Sequence, residues 1–314
     1  MDWLFAGLGL VILLLAGDAL VKGAVNLSLR IGIPALIVSL TIVAFGTSAP
    51  ELLISITAGL EGVPGIALGN VVGSNTANIL LVLGVPALLA TMHSSECETR
   101  KSYVMMMAAS VLFVALAFTG SFTPLIGLVL LAVLGFVLFD AVRDARAHRA
   151  AGQDIELEDP EGADPDMPWW KICMFLALGL AGLPFGADLL LKGAVNIARD
   201  FGLSESVIGL TLVAVGTSLP ELATTVMAAL RRQADVALGN VIGSNMFNLL
   251  AIIGIASLVS PIPVDPKFLT FDLWVMLGAS ALLFPFVFLK MDITRLWGVA
   301  LTSLYVGYVV VVLL

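Results

Sequence analysis

Two stretches of this sequence occur twice, each time 170 residues apart. The heptapeptide Gly-Thr-Ser-Ala-Pro-Glu-Leu at residues 46–52 returns as Gly-Thr-Ser-Leu-Pro-Glu-Leu at residues 216–222. The segment Ala-Leu-Gly-Asn-Val-Val-Gly-Ser-Asn at residues 67–75 returns at residues 237–245 with one valine changed to isoleucine. Each copy of the first motif places a glutamate inside a strongly apolar region. A duplicated pattern with an ionisable residue in each half is typical of transporters built from two structural repeats.

The amino-acid composition favours a membrane protein. Hydrophobic residues make up 60% of the 314 residues and charged residues only 12%, whereas a soluble domain carries roughly 25% charged residues. Charged residues this few cannot cover the surface of a soluble protein. We therefore expect an all-α integral membrane protein. The N-terminus has no basic region before its first apolar segment, so we expect that segment to be retained as a membrane span and not cleaved as a signal peptide.

Ten apolar segments are long enough to cross a bilayer as helices, which takes roughly 20 residues each. We predict spans at residues 3–27, 33–60, 65–90, 102–118, 122–146, 168–198, 204–230, 235–258, 269–289 and 293–313. The polar segment 147–167 separates two five-helix units, 1–146 and 168–314. We interpret this acidic segment as a solvated linker, not as a cation-binding surface, because it lacks the spacing of an EF-hand.

Basic residues mark the predicted cytoplasmic side. The loops after the odd-numbered spans carry eleven lysines and arginines, whereas the loops on the opposite side carry only Arg199 and Lys267. The positive-inside rule therefore places the odd-numbered loops and the 147–167 linker in the cytoplasm and both termini outside. Because five spans reverse the direction of the chain, the second half is predicted to be an inverted copy of the first.

The first repeated motif should break its helix. Pro50 lacks an amide hydrogen, and its ring clashes with the carbonyl of Gly46. The carbonyls of the preceding turn, around Ala44, are then expected to lose their helical partners and to become available to a cation. The same reasoning applies to Pro220 and to the turn at Ala214 in the second half.

Four polar stripes are predicted to converge near the middle of the membrane, because residues four apart share one helix face. The stripes are Thr47, Glu51 and Ser55; Thr217, Glu221 and Thr225; Asn70, Ser74 and Asn78; and Asn240, Ser244 and Asn248. All of these groups offer oxygen, which suits a hard cation such as Ca²⁺.

The two glutamates bring a charge of −2, which one Ca²⁺, two Na⁺ or two protons would cancel. An uncompensated pair is costly at this depth, so a loaded site should cross readily and an empty one poorly, as an obligatory exchanger requires.

Some of these residues also fit purely structural roles. Ser48 and Glu51 also fit a capping box at a helix N-terminus, and the asparagine and serine stripes could simply join helices by hydrogen bonds. We favour cation binding, because a glutamine would cap nearly as well without a buried charge. Asp18 and Lys22 are four apart, and we interpret them as a structural ion pair.

At these residues the chain resembles the cation/Ca²⁺ antiporter superfamily, and specifically the prokaryotic sodium/calcium exchangers. The motifs Gly-Thr-Ser-x-Pro-Glu and Gly-Asn-x-x-Gly-Ser-Asn carry the resemblance, which covers nearly the whole chain. It implies ten transmembrane helices, of which the broken second, third, seventh and eighth form the core. The long first and sixth helices would slide across that core. It also implies a multi-pass protein of the prokaryotic cell (inner) membrane.

The resemblance also implies a set of ion ligands. Glu51 and Glu221 would share Ca²⁺ with the carbonyls of Thr47 and Thr217, and Na⁺ would use the same glutamates. The further sodium ligands would be the carbonyls of Ala44 and Ala214 and the hydroxyls of Thr47, Ser48, Ser74, Thr217, Ser218 and Ser244. The central polar pair corresponds to Asn78 and Asn248, where some relatives, including potassium-dependent exchangers, carry an aspartate at one place. With two amides the fixed charge stays at −2, which weakens the case for K⁺.

The leading hypothesis is secondary active exchange of Na⁺ for Ca²⁺ by alternating access. Ca²⁺/H⁺ antiport is the alternative, but proton-coupled relatives usually carry a glutamate where this chain has Gly73 and Gly243. A cation channel is a more remote alternative, because no charged ring or filter is evident.

The chain offers no motif of a hydrolytic enzyme, and we expect none of its activity to be enzymatic. Cys97 and Cys173 match no disulfide framework or metal-ligand spacing, and we expect no cofactor. The expected partners are the lipid bilayer and the transported ions Ca²⁺ and Na⁺, with H⁺ as the alternative coupling ion. We expect no nucleic acid and no obligate protein partner.

Overall fold

The computed structural model describes residues 1–150, 164–202 and 214–313, and they are almost entirely helical. The first half contains α1 (Asp2–Ile31), α2 (Ala35–Thr47), α3 (Ala49–Leu60), α4 (Gly65–Leu89), α5 (Arg100–Ala117) and α6 (Pro124–Ala150). The second half contains α7 (Trp169–Asp200), α8 (Ala214–Gly216), α9 (Leu219–Leu230), α10 (Ala234–Val259), α11 (Phe268–Phe288) and α12 (Arg295–Leu313). Two short strands, β1 (Ser121–Phe122) and β2 (Ile262–Pro263), pair antiparallel.

Within the described residues, eight helices are long and apolar enough to cross a membrane, or nine if the bent pair α2 and α3 is one span. The all-α membrane architecture is therefore as expected. The remaining predicted span, 204–230, begins outside the described residues, and only its later part is seen as α8 and α9. Most of the acidic linker, residues 151–163, also lies outside them.

The predicted break at the first motif is present. Helix α2 ends at Thr47, α3 begins at Ala49, and the two are bent by 43°. Pro50 is the second residue of α3, where its missing amide hydrogen costs nothing because no helical partner is available there. A π-helical turn at Ser39–Val43 precedes the break, and such turns frequently occur at functional sites.

Helices α4 and α10 form the centre of the molecule. In their most apolar stretches 78% and 89% of the residues are buried, compared with 17% in α6 and in α12. Both central helices are also interrupted: α4 between Leu80 and Gly84, and α10 by a π-helical turn that begins at Asn248. The peripheral helices therefore offer their apolar side chains to lipid, while the central pair is surrounded by protein.

Helices α1 and α7, the longest of the described helices, pack antiparallel through glycines. A side chain at Gly9 would collide with the backbone of Leu190, and one at Gly179 with the backbone of Leu20. At 30 and 32 residues, these helices are about 45 Å long or more. They exceed the roughly 30 Å hydrocarbon core, so they either tilt within it or extend beyond it.

Loops of the two halves contact each other in two separate groups. On one side, Met92 in the loop after the third predicted span bridges Ile293 after the ninth. On the other side, β1 after the fourth span pairs with β2 after the eighth. Asn196, near the end of the sixth span, donates to Asp2 at the N-terminus over 2.9 Å. Loops after odd-numbered spans thus meet one another, as do loops after even-numbered spans.

Glycines in the second motif allow α10 to pack against α2. A methyl group at Gly243 would lie 2.5 Å from the Leu40 carbonyl oxygen and 2.6 Å from the Cβ of Ala44. The Ser39 hydroxyl donates to the Val236 carbonyl across the same interface at 2.6 Å. Close backbone approach at Gly243 is therefore what holds the end of α2 against the second half.

Replacing Gly243 with alanine should destabilise the protein, because overpacking of this kind costs about 1–3 kcal/mol. Gly135→Ala in the middle of α6 is the control. Gly135 is exposed, no heavy atom of the described residues beyond its own helix backbone lies within 4 Å of the added methyl, and alanine favours the helix by about 1 kcal/mol. Thermal unfolding of the purified protein in detergent measures both. Equal losses in the two variants would contradict the packing described for Gly243.

Candidate functional site

The two motif glutamates are buried just after the helix breaks, in the first turn of α3 and of α9. Glu51 and Glu221 are each 1% exposed. The Ser48 hydroxyl, in the first half, donates to Oε1 of Glu221 at 3.2 Å. The site is thus assembled from both halves of the chain.

The capping-box alternative is wrong for these motifs. Ser48 and Ser218 occupy the N-cap positions of α3 and α9, but neither side chain makes a capping hydrogen bond. Ser48 instead reaches the glutamate of the opposite half, and the hydroxyl of Ser218 has no hydrogen-bond partner. Neither serine side chain therefore caps its own helix, and Ser48 instead joins the two halves.

Three of the predicted sodium ligands meet at Thr47. Its hydroxyl lies 3.3 Å from the carbonyl oxygen of Ala44 and 3.5 Å from the hydroxyl of Ser244 in α10. It also lies 3.3 Å from Oδ1 of Asn240. The end of α2 and the middle of α10 thus place backbone and side-chain oxygens of both halves side by side.

The carbonyl of Ala44 differs from the prediction, because it keeps a helical hydrogen bond. We expected it to lose its helical partner at the break, but it accepts a hydrogen bond from the Ser48 amide at 3.1 Å. In the second half the Ser218 amide donates to Val215 at 3.0 Å, one residue further along than the equivalent of Ala44. Ala214, that equivalent, is the first residue of α8. Thr217 follows α8 and is partly exposed, whereas Thr47 is buried.

Asn70 and Asn240 join helices within each half. The Asn70 amide donates to the Glu51 carbonyl at 3.3 Å and to the Ser55 hydroxyl at 3.4 Å. Asn240 repeats both bonds, to the Glu221 carbonyl at 3.3 Å and to the Thr225 hydroxyl at 3.2 Å. For this part of the polar stripes the structural interpretation is correct, and these bonds fix each glutamate-bearing helix against its neighbour.

The central asparagines are held by two residues that the sequence analysis did not single out, Asn75 and Asn245. The Asn78 amide donates to Oδ1 of Asn245 at 3.1 Å, and the Asn248 amide donates to Oδ1 of Asn75 at 3.0 Å. All four side chains are buried. Asn75 and Asn245 end the repeated nonapeptide, so their recurrence was the signal that could have drawn attention to them.

Buried oxygens without hydrogen-bond partners concentrate at this site. Among the described residues, nine buried side-chain oxygens lack a partner. Six belong to the predicted ligand set: Oε2 of Glu51 and Glu221, Oγ of Ser74 and Ser218, and Oδ1 of Asn78 and Asn248. A buried polar atom without a partner is costly and calls for an explanation. A hard cation bound by these oxygens would supply it.

The pairing of Asp18 with Lys22 is confirmed, at 3.4 Å. Asp18 also forms an ion pair with Arg231 at the end of α9. These charges tie α1 to the second half away from the glutamates, and we assign them no part in ion binding.

Comparison with known proteins identifies the family. The family model described as sodium/calcium exchanger protein matches residues 1–141 and 171–314. The putative antiporter CaxA of Alkalimonas amylolytica is 37% identical over 97% of this chain and 96% of its own length. The sodium/calcium exchanger MaX1 of Methanosarcina acetivorans is 34% identical over 99% of this chain and 98% of its own. The chain belongs to the sodium/calcium exchanger family.

A solved structure agrees with this assignment. The sodium-calcium exchanger NCX_Mj, soaked with Na⁺ and Sr²⁺, has a TM-score of 0.82 and 30% identity, over 98% of this chain and 97% of its own. The protein is therefore a multi-pass membrane transporter and not an enzyme. Its family transports Na⁺ and Ca²⁺ without a cofactor.

Ser48→Ala should lower the stability of the ion-free protein, because a hydrogen bond to a charged group contributes about 1.5–3 kcal/mol. Ser218→Ala is the matched control, since it removes a buried hydroxyl that has no partner and should leave stability unchanged or higher. Thermal unfolding in detergent, without Na⁺ or Ca²⁺, compares the two variants. If Ser218→Ala destabilises the protein as much as Ser48→Ala, the asymmetry described here is wrong.

Proposed function

We propose that this chain is a secondary active antiporter that exchanges Na⁺ for Ca²⁺ by alternating access and exports Ca²⁺ as Na⁺ enters. The observation that carries the proposal is the pair of buried glutamates, one from each half, beside unpartnered oxygens. The names of MaX1 and NCX_Mj as sodium/calcium exchangers support the same function.

The charge of the site explains why transport would be coupled. Two ionised glutamates buried at mid-membrane depth are unfavourable by some kcal/mol for each charge. One Ca²⁺ or two Na⁺ cancel the pair, whereas the empty site keeps its charge of −2. Loaded forms would therefore cross between the two faces much faster than the empty form, and uncoupled leakage of either ion would be slow.

We assign the two ions overlapping sets of ligands. We assign Ca²⁺ to Glu51 and Glu221 with the carbonyls of Thr47 and Thr217, since Ca²⁺ prefers several oxygens including carboxylates. Na⁺ would use the same glutamates, so the two ions compete for one site. The other oxygens proposed for Na⁺ are those of Ala44, Ala214, Thr47, Ser48, Ser74, Thr217, Ser218 and Ser244, with Asn78 and Asn248 at the centre.

We further propose ten transmembrane helices arranged as inverted repeats, residues 1–146 and 168–314, joined by a cytoplasmic linker at 147–167. The antiparallel packing of α1 on α7 and the sorting of the loops support this arrangement. Both termini would then lie outside a prokaryotic inner membrane. Helices α1 and α7, which pack on each other through glycines, would slide as a pair across the core and open the site to either face.

Ca²⁺/H⁺ exchange is the second candidate, and the packing around Gly243 argues against it. A side chain there would meet Leu40 and Ala44 at less than 3 Å. The glutamate that proton-coupled relatives usually carry at this position has no room in this arrangement. We therefore assign Na⁺, not H⁺, as the coupling ion.

Glu51→Gln and Glu221→Gln should each abolish Na⁺-driven Ca²⁺ uptake into vesicles. Either change leaves the Ca²⁺-loaded site with a net positive charge, and a charge at this depth costs roughly 2.5–3.5 kcal/mol, or about a hundredfold in rate. Glu61→Gln is the matched control, because Glu61 is exposed at the end of α3. Normal exchange by either site variant would contradict the assignment.

The coupling ion is tested with the same vesicles. Uptake of ⁴⁵Ca²⁺ should follow an outward Na⁺ gradient at clamped pH, and K⁺ or Li⁺ should not replace Na⁺. A pH step without Na⁺ should give no uptake. Uptake that ignores Na⁺ and follows the pH step would establish Ca²⁺/H⁺ exchange instead, and current that needs no counter-ion would establish a channel.

A further inference from the structure

We propose that Asn75 and Asn245 are positioning residues, which fix the amides of Asn248 and Asn78 so that carbonyl oxygen, and not the NH₂ group, faces the cation site. This inference rests on the proposed exchange function. It adds two residues that themselves present no free oxygen to the ion.

The two ends of an asparagine amide are nearly alike in shape. Its oxygen and nitrogen have almost the same size, so packing alone cannot select which of them points toward a site. The oxygen is a cation ligand, whereas the NH₂ group carries positive hydrogens and repels a cation. A wrongly turned Asn78 or Asn248 would therefore convert a ligand into an obstacle.

Backbone carbonyls set the orientation of Asn75 and Asn245 first. The Asn75 NH₂ donates to the backbone carbonyl of Asn245 at 3.4 Å, and the Asn245 NH₂ donates to the backbone carbonyl of Asn75 at 3.4 Å. A carbonyl can only accept, so the nitrogen of each side chain must point toward it. The opposite end of each amide is then necessarily an oxygen.

Those two oxygens set the orientation of the central pair. Oδ1 of Asn245 accepts from the NH₂ of Asn78 at 3.1 Å, and Oδ1 of Asn75 accepts from the NH₂ of Asn248 at 3.0 Å. The remaining atoms, Oδ1 of Asn78 and of Asn248, are buried and without a partner. Each central amide is thus oriented by the half of the chain to which it does not belong.

A double-mutant cycle tests the proposal by equilibrium binding of ²²Na⁺ to the purified full-length protein at fixed pH. Asn245→Leu should weaken Na⁺ binding about tenfold through loss of the fixed Asn78 oxygen. In the Asn78→Ala background, where no amide remains to be oriented, the same change should have less than about a twofold further effect, since residues that act through each other are not additive.

The chain supplies its own control. Asn245→Leu should add its full effect to that of Asn248→Ala, because Asn245 orients Asn78 and not Asn248. The mirror cycle should couple Asn75 to Asn248 and leave Asn78 independent. Asn245→Ala replaces the leucine variant if the latter does not fold.

Additive effects within both cycles, or equal coupling to both central asparagines, would overturn the proposal. The four asparagines would then have a role in packing only. So would an Asn78→Ala variant that binds Ca²⁺ and Na⁺ normally while Glu51→Gln does not bind Ca²⁺; in that case the exchange function stands. Retention of Ca²⁺ binding by Glu51→Gln would instead contradict the exchange function itself.

Discussion

The structure depends on burying two carboxylates, one from each half, in a place where neither water nor a positive side chain of the described residues reaches them. Glu51 and Glu221 are both 1% exposed, and one oxygen of each lacks any hydrogen-bond partner. Basic side chains near the core, such as Lys22 and Arg231, are instead occupied by Asp18. In the proposed mechanism the charge of the site is therefore cancelled by mobile cations, and this would be the physical basis of coupled exchange.

Other features of the fold position these two glutamates. The break at Ser48 places Glu51 in the first turn of a new helix and turns a serine hydroxyl toward Glu221. Glycine in α10 lets the end of α2 approach closely enough for Thr47 to meet Ser244. Asn70 and Asn240 fix the glutamate-bearing helices from behind. Buried polar networks of this kind are favourable only when nearly every member is satisfied. It is therefore notable that the unsatisfied oxygens gather at the proposed cation site.

Much of this arrangement could be predicted from the sequence, because apolar length gives the spans and proline gives the break at Pro50. The motif repeat also indicated that oxygens of both halves would meet. Three features could not be predicted. The Ala44 carbonyl keeps its hydrogen bond from the Ser48 amide, and this depends on where the helical turn ends. The π-helical turn at Ser39–Val43 depends on tertiary packing. The orientation of the amides of Asn75 and Asn245 depends on contacts across 170 residues, which no local pattern contains.

The central claim is that one divalent ion is shared between the two glutamates. Crystals of this protein soaked in Sr²⁺ and measured by anomalous diffraction test it most directly. We predict one strong anomalous peak within ligand distance, roughly 2.3–2.6 Å for a Ca²⁺-like ion, of carboxylate oxygens from both Glu51 and Glu221, and its loss when Na⁺ is raised. A peak bound to only one of these glutamates, or none between them at saturating Sr²⁺, would contradict the account.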